Sequence, residues 1–381
     1  MGKREVVLRI VSDTPPPRGV VAAGPVRELV PYEAVSSQRT IEALQGSSPI
    51  FKLDWNESTI PPSPKVQQSI VHHVTNGPGL NWYPELSSRS LLLALSDYTN
   101  VRPDQLMVTN GSDDALHLIC STFLDHDDEV VVPVPTYNHF VVFAQSKGAK
   151  IVPVQTENLF ASNIEAIRDA MTHKTRLLYL VSPNNPTGVV AHPEMIEELC
   201  QDFPNTLIVL DEAYFEFSQV TGIGLVQRFP NLIVTRTFSK AFGLAGLRVG
   251  YLAAHPDILE NLSRIYNPKS VNTLAQIGAL AALSDLDYLN EYLDEVIESK
   301  RMLREFFAQR QGVEAWITAA NFVVLRVSDV KDTLRQLEGL GVYVRDRSSY
   351  QGMEGCIRMT VGTVEQTQRL IDRLSKVFPE R

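Results

Sequence analysis

Residues 235–248 read Thr-Arg-Thr-Phe-Ser-Lys-Ala-Phe-Gly-Leu-Ala-Gly-Leu-Arg, and an apolar run that predicts a β-strand precedes them. Lys240 therefore stands just past a strand end, where a cleft can keep its amine neutral and able to attack a carbonyl carbon. The hydroxyls of Thr237 and Ser239, with the guanidinium of Arg248, are suited to bind a phosphate group. Taken alone, a lysine in such a loop is more often solvated, and this is the alternative for Lys240. The stretch favours a ligand that carries both a carbonyl and a phosphate.

The composition is that of an ordinary globular protein. The chain has 381 residues, which predicts two or more domains, and it is 44% hydrophobic and 21% charged. A formal net charge of -9 argues against broad binding to nucleic acids or to anionic membranes. The apolar runs are no longer than strands, so the sequence predicts no transmembrane helix.

The three cysteines, Cys120, Cys200 and Cys356, lie far apart and show no zinc-ligand spacing with one another or with the histidines. Their odd number argues against a disulfide framework. We therefore expect a reducing, cytoplasmic environment and no bound metal.

A second phosphate-binding feature follows the predicted strand 106–109. Gly111 makes a turn, and Ser112 and Asp113 open a predicted helix. The N–H groups and the positive dipole end at such a helix start point toward an anion. Asp113 and Asp114 also suit the first turn of any helix, so capping alone could explain them.

Aromatic or polar side chains also follow the next predicted strands. Tyr137 comes after the strand 129–133, where its ring could stack on a planar ligand, although it could also be an ordinary packing residue. Asn185 lies in the compact sequence Ser-Pro-Asn-Asn-Pro-Thr-Gly at 182–188, which follows the strand 176–181, and its amide can donate a hydrogen bond. Strands alternate with helices here, which predicts a parallel sheet with helices on both faces.

An aspartate ends the buried strand 207–211. A carboxylate there is costly unless it is paired, and the protonated nitrogen of a pyridine ring is a suitable partner for Asp211. A protonated ring nitrogen makes the ring an electron sink, which is the chemistry of pyridoxal 5'-phosphate (PLP). Tyr214 and Asn185 could both donate a hydrogen bond to the phenolic oxygen of PLP. Taken alone, Asp211 could be a helix N-cap, but ligands bind at the carboxyl ends of strands in such sheets, and the ordered motifs favour a PLP site.

Residues 239–251 resemble the lysine segment of fold-type I PLP-dependent aminotransferases, most closely the histidinol-phosphate aminotransferase branch, with the sequence Ser-Lys-Ala-Phe-Gly-Leu-Ala-Gly-Leu-Arg-Val-Gly-Tyr. The order Asn-Pro-Thr-Gly, Asp-x-x-Tyr and Ser-Lys supports this resemblance, which extends from about residue 26 to the end of the chain. It implies an α/β fold, with a mostly parallel seven-stranded sheet between helices in a large domain, and a smaller α/β domain.

The resemblance implies a role in PLP binding for each motif. Lys240 would hold the cofactor as a Schiff base and act as acid and base, with Asp211 and Tyr214 as the other catalytic residues. In the family, the tyrosine of a Tyr-Pro pair such as Tyr83-Pro84 reaches the cofactor phosphate of the neighbouring subunit, so we expect a homodimer with shared active sites. A turn with a half-buried ring is the alternative for that pair. The remaining cofactor-binding residues would be Gly111, Ser112, Asp113, Tyr137, Asn185, Thr237, Ser239 and Arg248.

Substrate binding is expected to use arginines of the small domain. Arg358 lies inside an apolar predicted strand, where a guanidinium favours a carboxylate partner. The resemblance implies that Arg358 binds the substrate's α-carboxylate and that Arg345 faces its distal group, including a phosphate. Arg347 is an alternative to Arg345. Tyr32 and Asn321 match further family positions near the substrate.

We expect three divisions of the chain. These are an N-terminal arm with part of the small domain at 1–50, the large PLP-binding domain at 51–265 and the small C-terminal domain at 266–381. Helical spacing of Leu, Ala, Glu and Lys predicts one long helical stretch over 274–310. The run 342–346 predicts a single strand of the small domain.

The predicted activity is a ping-pong transamination between an amino acid or amino-alcohol phosphate and a 2-oxo acid. Three alternatives stay open: a PLP-dependent decarboxylase or lyase such as threonine-phosphate decarboxylase, an aminotransferase for an aromatic or specialised metabolite, and a non-catalytic protein that kept the fold. The segment 55–62 departs from the family's usual Asn-Glu-Asn-Pro pattern, which favours the second. The complete set of motif residues argues against the third.

Overall fold

The structure, a computed structural model, describes residues 21–27, 29, 50–155 and 158–381. Its strands are β1 (Phe51–Lys52), β2 (Leu106–Thr109), β3 (Glu129–Val134), β4 (Lys150–Gln155), β5 (Thr175–Val181), β6 (Leu207–Asp211), β7 (Leu232–Thr237), β8 (Gly250–Ala254), β9 (Val313–Ile317), β10 (Phe322–Val327), β11 (Val342–Tyr343), β12 (Arg345–Asp346) and β13 (Cys356–Thr360).

Seven of these strands form one sheet in the order β2-β8-β7-β6-β5-β3-β4. Within that sheet β8 pairs antiparallel with both of its neighbours, and the other pairs are parallel. The mostly parallel seven-stranded sheet predicted from the sequence is confirmed. Its parallel strands end at one edge, which brings the residues that follow them together.

Helices cover both faces of this sheet because alternate strand residues point to opposite sides. On β5, Leu178 and Leu180 face one buried cluster, while Leu177 and Tyr179 face the other. The first face is covered by Pro64–Asn76, Arg89–Thr99, Ile164–Ala170, Pro193–Asp202 and Thr273–Leu283. The second face is covered by Ser112–Phe123, Asn138–Ser146 and Pro256–Ser263.

A second, four-stranded antiparallel sheet has the order β12-β13-β10-β9, and β1 pairs with β11 beside it. Its apolar face packs on the helices Leu286–Ala308, Val330–Gly339 and Val364–Leu374. The shorter helices are Gly24–Arg27 and Phe215–Ser218, and the 3₁₀ turns are Pro103–Gln105, Ile223–Gln227 and Ala245–Leu247.

Two predictions about the small domain's elements are wrong in detail. The stretch 274–310 is not one helix: it divides after Leu283, where Asp285 leaves the helical region with a φ of -138°. Asp285 is held there by an ion pair of 2.9 Å with Lys65, which ties the break to the neighbouring helix. The run 342–346 is not one strand, because β11 pairs with β1 whereas β12 pairs with β13.

The three-part division of the chain stays a prediction. Phe51 and Leu53 pack into the core of the small sheet, whereas Ala275 and Ala279 pack under the seven-stranded sheet. In the part of the chain that the structure describes, no helix has the length and apolar character that crossing a membrane requires.

Candidate active site

A cleft of about 530 Å³ lies between the two sheets, at the carboxyl ends of β3, β5, β6 and β7. It gathers motif residues that are distant in the sequence, as expected for ligand sites in parallel sheets. The predicted site residues that line it are Ser112, Asp113, Tyr137, Asn185, Asp211, Tyr214, Thr237, Ser239, Lys240, Arg248, Arg345 and Arg358. Further lining residues are Asp54, Trp55, Glu57, His139, Arg347 and Tyr350.

Lys240 projects into this cleft from the loop after β7. Its Nζ donates a hydrogen bond of 3.0 Å to the backbone carbonyl of Trp55 and lies 5.8 Å from the ring centre of Tyr214. The side chain is half-buried, and its amine bonds a neutral oxygen rather than a carboxylate. An amine held this way is available to attack a carbonyl compound that enters the cleft.

Asp211 ends β6 with its carboxylate buried at the base of the cleft. The hydroxyl of Tyr179 donates to Oδ2 at 3.0 Å and that of Thr235 donates to Oδ1 at 3.1 Å. Burial raises the pKa of Asp211 to about 6, because these uncharged donors offset only part of the desolvation. The carboxylate therefore favours a cationic ligand atom. The supporting hydroxyls lie on neighbouring strands and have no local signal in the sequence.

Tyr214 and Asn185 both line the cleft. Tyr214 Oη accepts a hydrogen bond of 3.0 Å from Asn56 Nδ2. Asn185 Oδ1 accepts one of 2.6 Å from Arg358 Nη1, which leaves the Asn185 amide group to donate. Both side chains can therefore offer a proton to an oxygen in the cleft.

The predicted phosphate cup is formed at the start of the helix Ser112–Phe123. Gly111 has a φ of 82°, and no side chain caps the helix, so its first N–H groups face the cleft. Arg248 Nη2 bonds Asp113 Oδ2 at 3.1 Å, and Thr237 Oγ1 donates to Ser239 Oγ at 2.9 Å. Hydroxyls, a guanidinium and a helix start thus converge, as binding of a phosphate requires.

Tyr137 connects this cup to the wall of the cleft. Its hydroxyl donates to Asp113 Oδ1 at 2.7 Å and lies 3.0 Å from His139 Nδ1. His139 lines the cleft, although the sequence offered no argument for placing it there. The bond to Asp113 fixes the tilt of the tyrosine ring beside the helix start.

The opposite wall carries three arginines from the small domain. Arg345 and Arg358 are direct partners across β12 and β13, and Arg347 follows. Arg358 is buried and donates at 2.6 Å to the carbonyl of Asp54, as well as to Asn185. Burial, together with repulsion from Arg347 and Arg345, lowers the pKa of Arg358 to about 9. An anion in the cleft would relieve this repulsion.

Three of the predicted site residues that the structure describes do not line the cleft. Tyr83 is 76% exposed, with Lys269 Nζ 5.0 Å from its ring centre. Asn321 is buried behind the wall and donates at 3.1 Å to the carbonyl of Asn56. Gly111 lies beneath the Arg248 guanidinium. Tyr32 is outside the described residues.

The side chains of the cleft, among the described residues, fit the parts of PLP. Within these ranges no three or more His, Cys, Asp or Glu side chains are placed to hold an ion. Lys240 suits the cofactor's carbonyl, Asp211 suits a protonated ring nitrogen and the cup around Ser112 suits a phosphate.

Comparison with known proteins identifies the family. The sequence matches aminotransferase class I and II over residues 48–374. A dihydroxyacetone phosphate transaminase of Campylobacter jejuni is 35% identical over 92% of this chain and 95% of its own. A histidinol-phosphate aminotransferase of Methanococcoides burtonii is 34% identical over 93% of this chain and 97% of its own.

Solved structures agree with the sequence relatives. The histidinol-phosphate aminotransferase of Sinorhizobium meliloti, in complex with PLP, is similar with a TM-score of 0.83 and 25% identity, over 94% of this chain and 98% of that one. The enzyme prediction is confirmed, which removes the non-catalytic alternative. The chain belongs to the class I and II aminotransferases, and it is a PLP-dependent enzyme of fold type I similar to the histidinol-phosphate aminotransferases.

Proposed function

We propose that this aminotransferase exchanges an amino group between a substrate that carries a phosphate monoester and a 2-oxo acid. The observation that carries the proposal is the cluster of Arg345, Arg347 and Arg358 on one wall of the cleft. The three guanidinium groups give this wall a surplus of positive charge, and repulsion from Arg347 and Arg345 adds to the effect of burial in lowering the pKa of Arg358. A dianionic phosphate provides more compensating charge than a second carboxylate.

The three arginines divide into two binding positions. Arg358 is buried and hydrogen-bonded to Asn185, and it suits the α-carboxylate of an amino acid or a 2-oxo acid. Arg345 and Arg347 are half-buried and suit a distal phosphate. Glutamate or 2-oxoglutarate would use the first position, and a phosphorylated amine or carbonyl compound would use the second.

The relatives support this substrate class. The Campylobacter jejuni protein is named for dihydroxyacetone phosphate and the Methanococcoides burtonii protein for histidinol phosphate, which are both phosphate monoesters. Both are aminotransferases by name, so decarboxylation is less supported. A threonine-phosphate decarboxylase structure from Porphyromonas gingivalis is 23% identical and shares the fold alone.

In the proposed mechanism PLP, when bound, supplies a carbonyl that accepts the amino group and a ring that accepts electrons from the substrate's Cα. Lys240 Nζ would remove the proton from the substrate's Cα and return it to the carbonyl carbon of the cofactor, on the other side of the transferred nitrogen. Asp211 keeps the ring nitrogen protonated, because its buried carboxylate gains a cationic partner. Tyr214 and Asn185 donate to the phenolic oxygen, and the cup at Ser112 holds the phosphate.

The active unit we propose is a homodimer. Aromatic and aliphatic side chains around Tyr83 are exposed, which is typical of a surface that binds another protein chain. A partner seated there would bring Tyr83 toward a neighbouring phosphate cup. The other exposed apolar residues of this region are Val71, Val74, Leu80, Trp82 and Leu86.

We also propose a cytoplasmic location, because the three cysteines are free and buried.

The test uses substrates that differ by the phosphate alone. The PLP-bound protein is mixed with histidinol phosphate or with histidinol, and loss of the visible PLP absorbance band is followed. In a second experiment, glutamate first transfers its amino group to the cofactor. Dihydroxyacetone phosphate or dihydroxyacetone is then added, and recovery of the band is followed. We expect kcat/KM for a phosphorylated compound to exceed that of its unphosphorylated partner by about 100-fold. Aromatic amino acids are measured in parallel.

Variants then locate the phosphate. Arg345→Gln and Arg347→Gln should each reduce kcat/KM for the phosphorylated substrate by about 10-fold to 100-fold while the reaction with glutamate is retained. Arg335→Gln, which removes an exposed arginine of the same domain, is the control. Equal use of phosphorylated and unphosphorylated compounds, or faster reaction with an aromatic amino acid, would reject the proposal.

A further inference from the structure

Asn56 occupies an unusual position between the two domains. It is fully buried, and its backbone has a φ of 55°, in the left-handed region that asparagine tolerates better than most residues. Its Nδ2 donates at 3.0 Å to the hydroxyl oxygen of Tyr214 in the large domain. A residue held in such a conformation inside the protein needs support from its surroundings.

That support comes from the small domain. The N–H of Asn56 donates to Thr360 Oγ1 at 3.1 Å, and its carbonyl accepts from Asn321 Nδ2 at 3.1 Å. Thr360 Oγ1 in turn donates at 2.9 Å to the carbonyl of Leu53. The left-handed turn at Asn56 is therefore fixed by two side chains from the sheet that contains β10 and β13.

The carbonyls of residues 54, 55 and 56 all accept hydrogen bonds from residues of the site or its wall. Arg358 donates to Asp54, Lys240 donates to Trp55 and Asn321 donates to Asn56. Arg358 and Thr360 are on the same strand, β13. The segment thus connects the proposed carboxylate position with the lysine and with Tyr214.

The direction of the bond to Tyr214 has a chemical consequence. An amide NH₂ group can only donate, so the Tyr214 oxygen is the acceptor and its own proton is free for a second partner. Asn56 already occupies one side of the oxygen. Tyr214 and Lys240 both line the cleft, so this proton is available to an acceptor bound there beside the lysine. Accepting a hydrogen bond also makes the hydroxyl a stronger donor.

We propose that Asn56 is a positioning residue that directs the Tyr214 hydroxyl toward the phenolic oxygen of the cofactor and connects that hydroxyl to β13. The inference depends on the role proposed above for Tyr214. Asn56 itself does not line the cleft, so it would act through the tyrosine. It would set how strongly the phenolic oxygen is bonded, and hence how readily the neighbouring Lys240 nitrogen loses its proton.

The test is a pH titration of the visible absorbance band of the PLP-bound protein. A donor on the phenolic oxygen withdraws negative charge from beside the Lys240 nitrogen, so that nitrogen loses its proton at a lower pH. Asn56→Gly tolerates the positive φ and removes the amide, and it should raise the midpoint by about 0.5 to 1 pH unit. Tyr214→Phe should raise the midpoint further. In Tyr214→Phe, the added Asn56→Gly change should produce almost no additional shift.

Thr360→Val removes the hydroxyl that supports Asn56, so it should raise the midpoint by less than Asn56→Gly does. Thr360→Ser keeps a hydroxyl and should have the wild-type midpoint. An unchanged midpoint in Asn56→Gly, with a raised one in Tyr214→Phe, would reject the inference and leave the role of Tyr214 standing. Additive shifts in the double variant would also reject it. An unchanged midpoint in Tyr214→Phe would overturn both the role of Tyr214 and the action of Asn56 through it.

Discussion

The two walls of the cleft differ in how their charged side chains are paired. On the large-domain wall, Asp113 and Arg248 form an ion pair of 3.1 Å, whereas the buried carboxylate of Asp211 accepts hydrogen bonds from the uncharged hydroxyls of Tyr179 and Thr235. On the small-domain wall three arginines repel one another. The first wall is close to neutral before a ligand arrives, whereas the second has a surplus of positive charge.

This difference matches the residence times that the two ligands need. A cofactor that stays bound suits a site whose residues are already fixed by hydrogen bonds to one another, with one carboxylate placed to pair with the ring nitrogen. A substrate that must leave after each turnover is served by a charge that attracts it without enclosing it. Each wall thus has a buried acid or base whose pKa is displaced against its charged form: upward for Asp211 and downward for Arg358.

The largest effect is expected when Lys240 on the large-domain wall is replaced. Lys240→Ala should decrease kcat by about 10⁴-fold, because it removes both the covalent attachment and the acid-base group. The measurement is turnover together with the absorbance spectrum after dialysis. Lys240→Arg is the control, since it retains the positive charge without a nucleophilic amine and should be equally inactive. Turnover by Lys240→Ala at the wild-type rate would show that another residue supplies the amine and moves the proton.

The next effect concerns the buried carboxylate. The pKa of Asp211 is raised from its ordinary value of 3.8 to about 6, so the unfolded chain loses this proton first as the pH rises. The PLP-free protein should therefore lose about 3 kcal/mol of unfolding free energy between about pH 4 and pH 6 through this group. Asp211→Asn should remove that loss and decrease kcat by about 100-fold or more.

Denaturant unfolding of both proteins without PLP, at several pH values, measures the difference. Bound PLP should reverse the trend in the wild-type protein, because a ring cation stabilises the ionised carboxylate. Parallel pH profiles for the wild-type and Asp211→Asn proteins would mean that the carboxylate is already ionised in the PLP-free fold.

A smaller effect tests the geometry of the phosphate cup. In Gly111→Ala the new Cβ would lie 2.7 Å from Arg248 Nη2, on a backbone with a φ of 82°. We expect a cost of about 2 kcal/mol, seen as PLP affinity weakened by roughly 10-fold to 30-fold. Gly224→Ala is the matched control, because no atom lies within 4 Å of its Cβ. Unchanged affinity in Gly111→Ala would show that the cup adapts.

How far the sequence predicts these walls depends on whether a residue follows a strand. Asp211, Asn185 and Lys240 come at or just after the ends of parallel strands, and the topology alone brings them to one edge. The bond between Arg358 and the carbonyl of Asp54 spans 304 residues and uses a backbone atom, which carries no side-chain signal. Asn56 likewise acts from an irregular segment whose path is decided by tertiary contacts.

The smallest effect is a change in unfolding free energy, and it is expected when one arginine of either wall is replaced. Arg248→Met removes the partner of Asp113, so the PLP-free protein should lose up to about 1 kcal/mol of unfolding free energy, a modest value because both side chains are partly exposed. Arg345→Met removes one of three repelling cations and should leave stability unchanged or raise it by up to about 1 kcal/mol. Both changes should shrink in 1 M salt, since screening weakens attraction and repulsion alike. Inorganic phosphate should stabilise the wild-type protein more than Arg345→Met. If Arg345→Met destabilises the protein as Arg248→Met does, the small-domain wall has no surplus charge, and its arginines are structural rather than kept for a substrate anion.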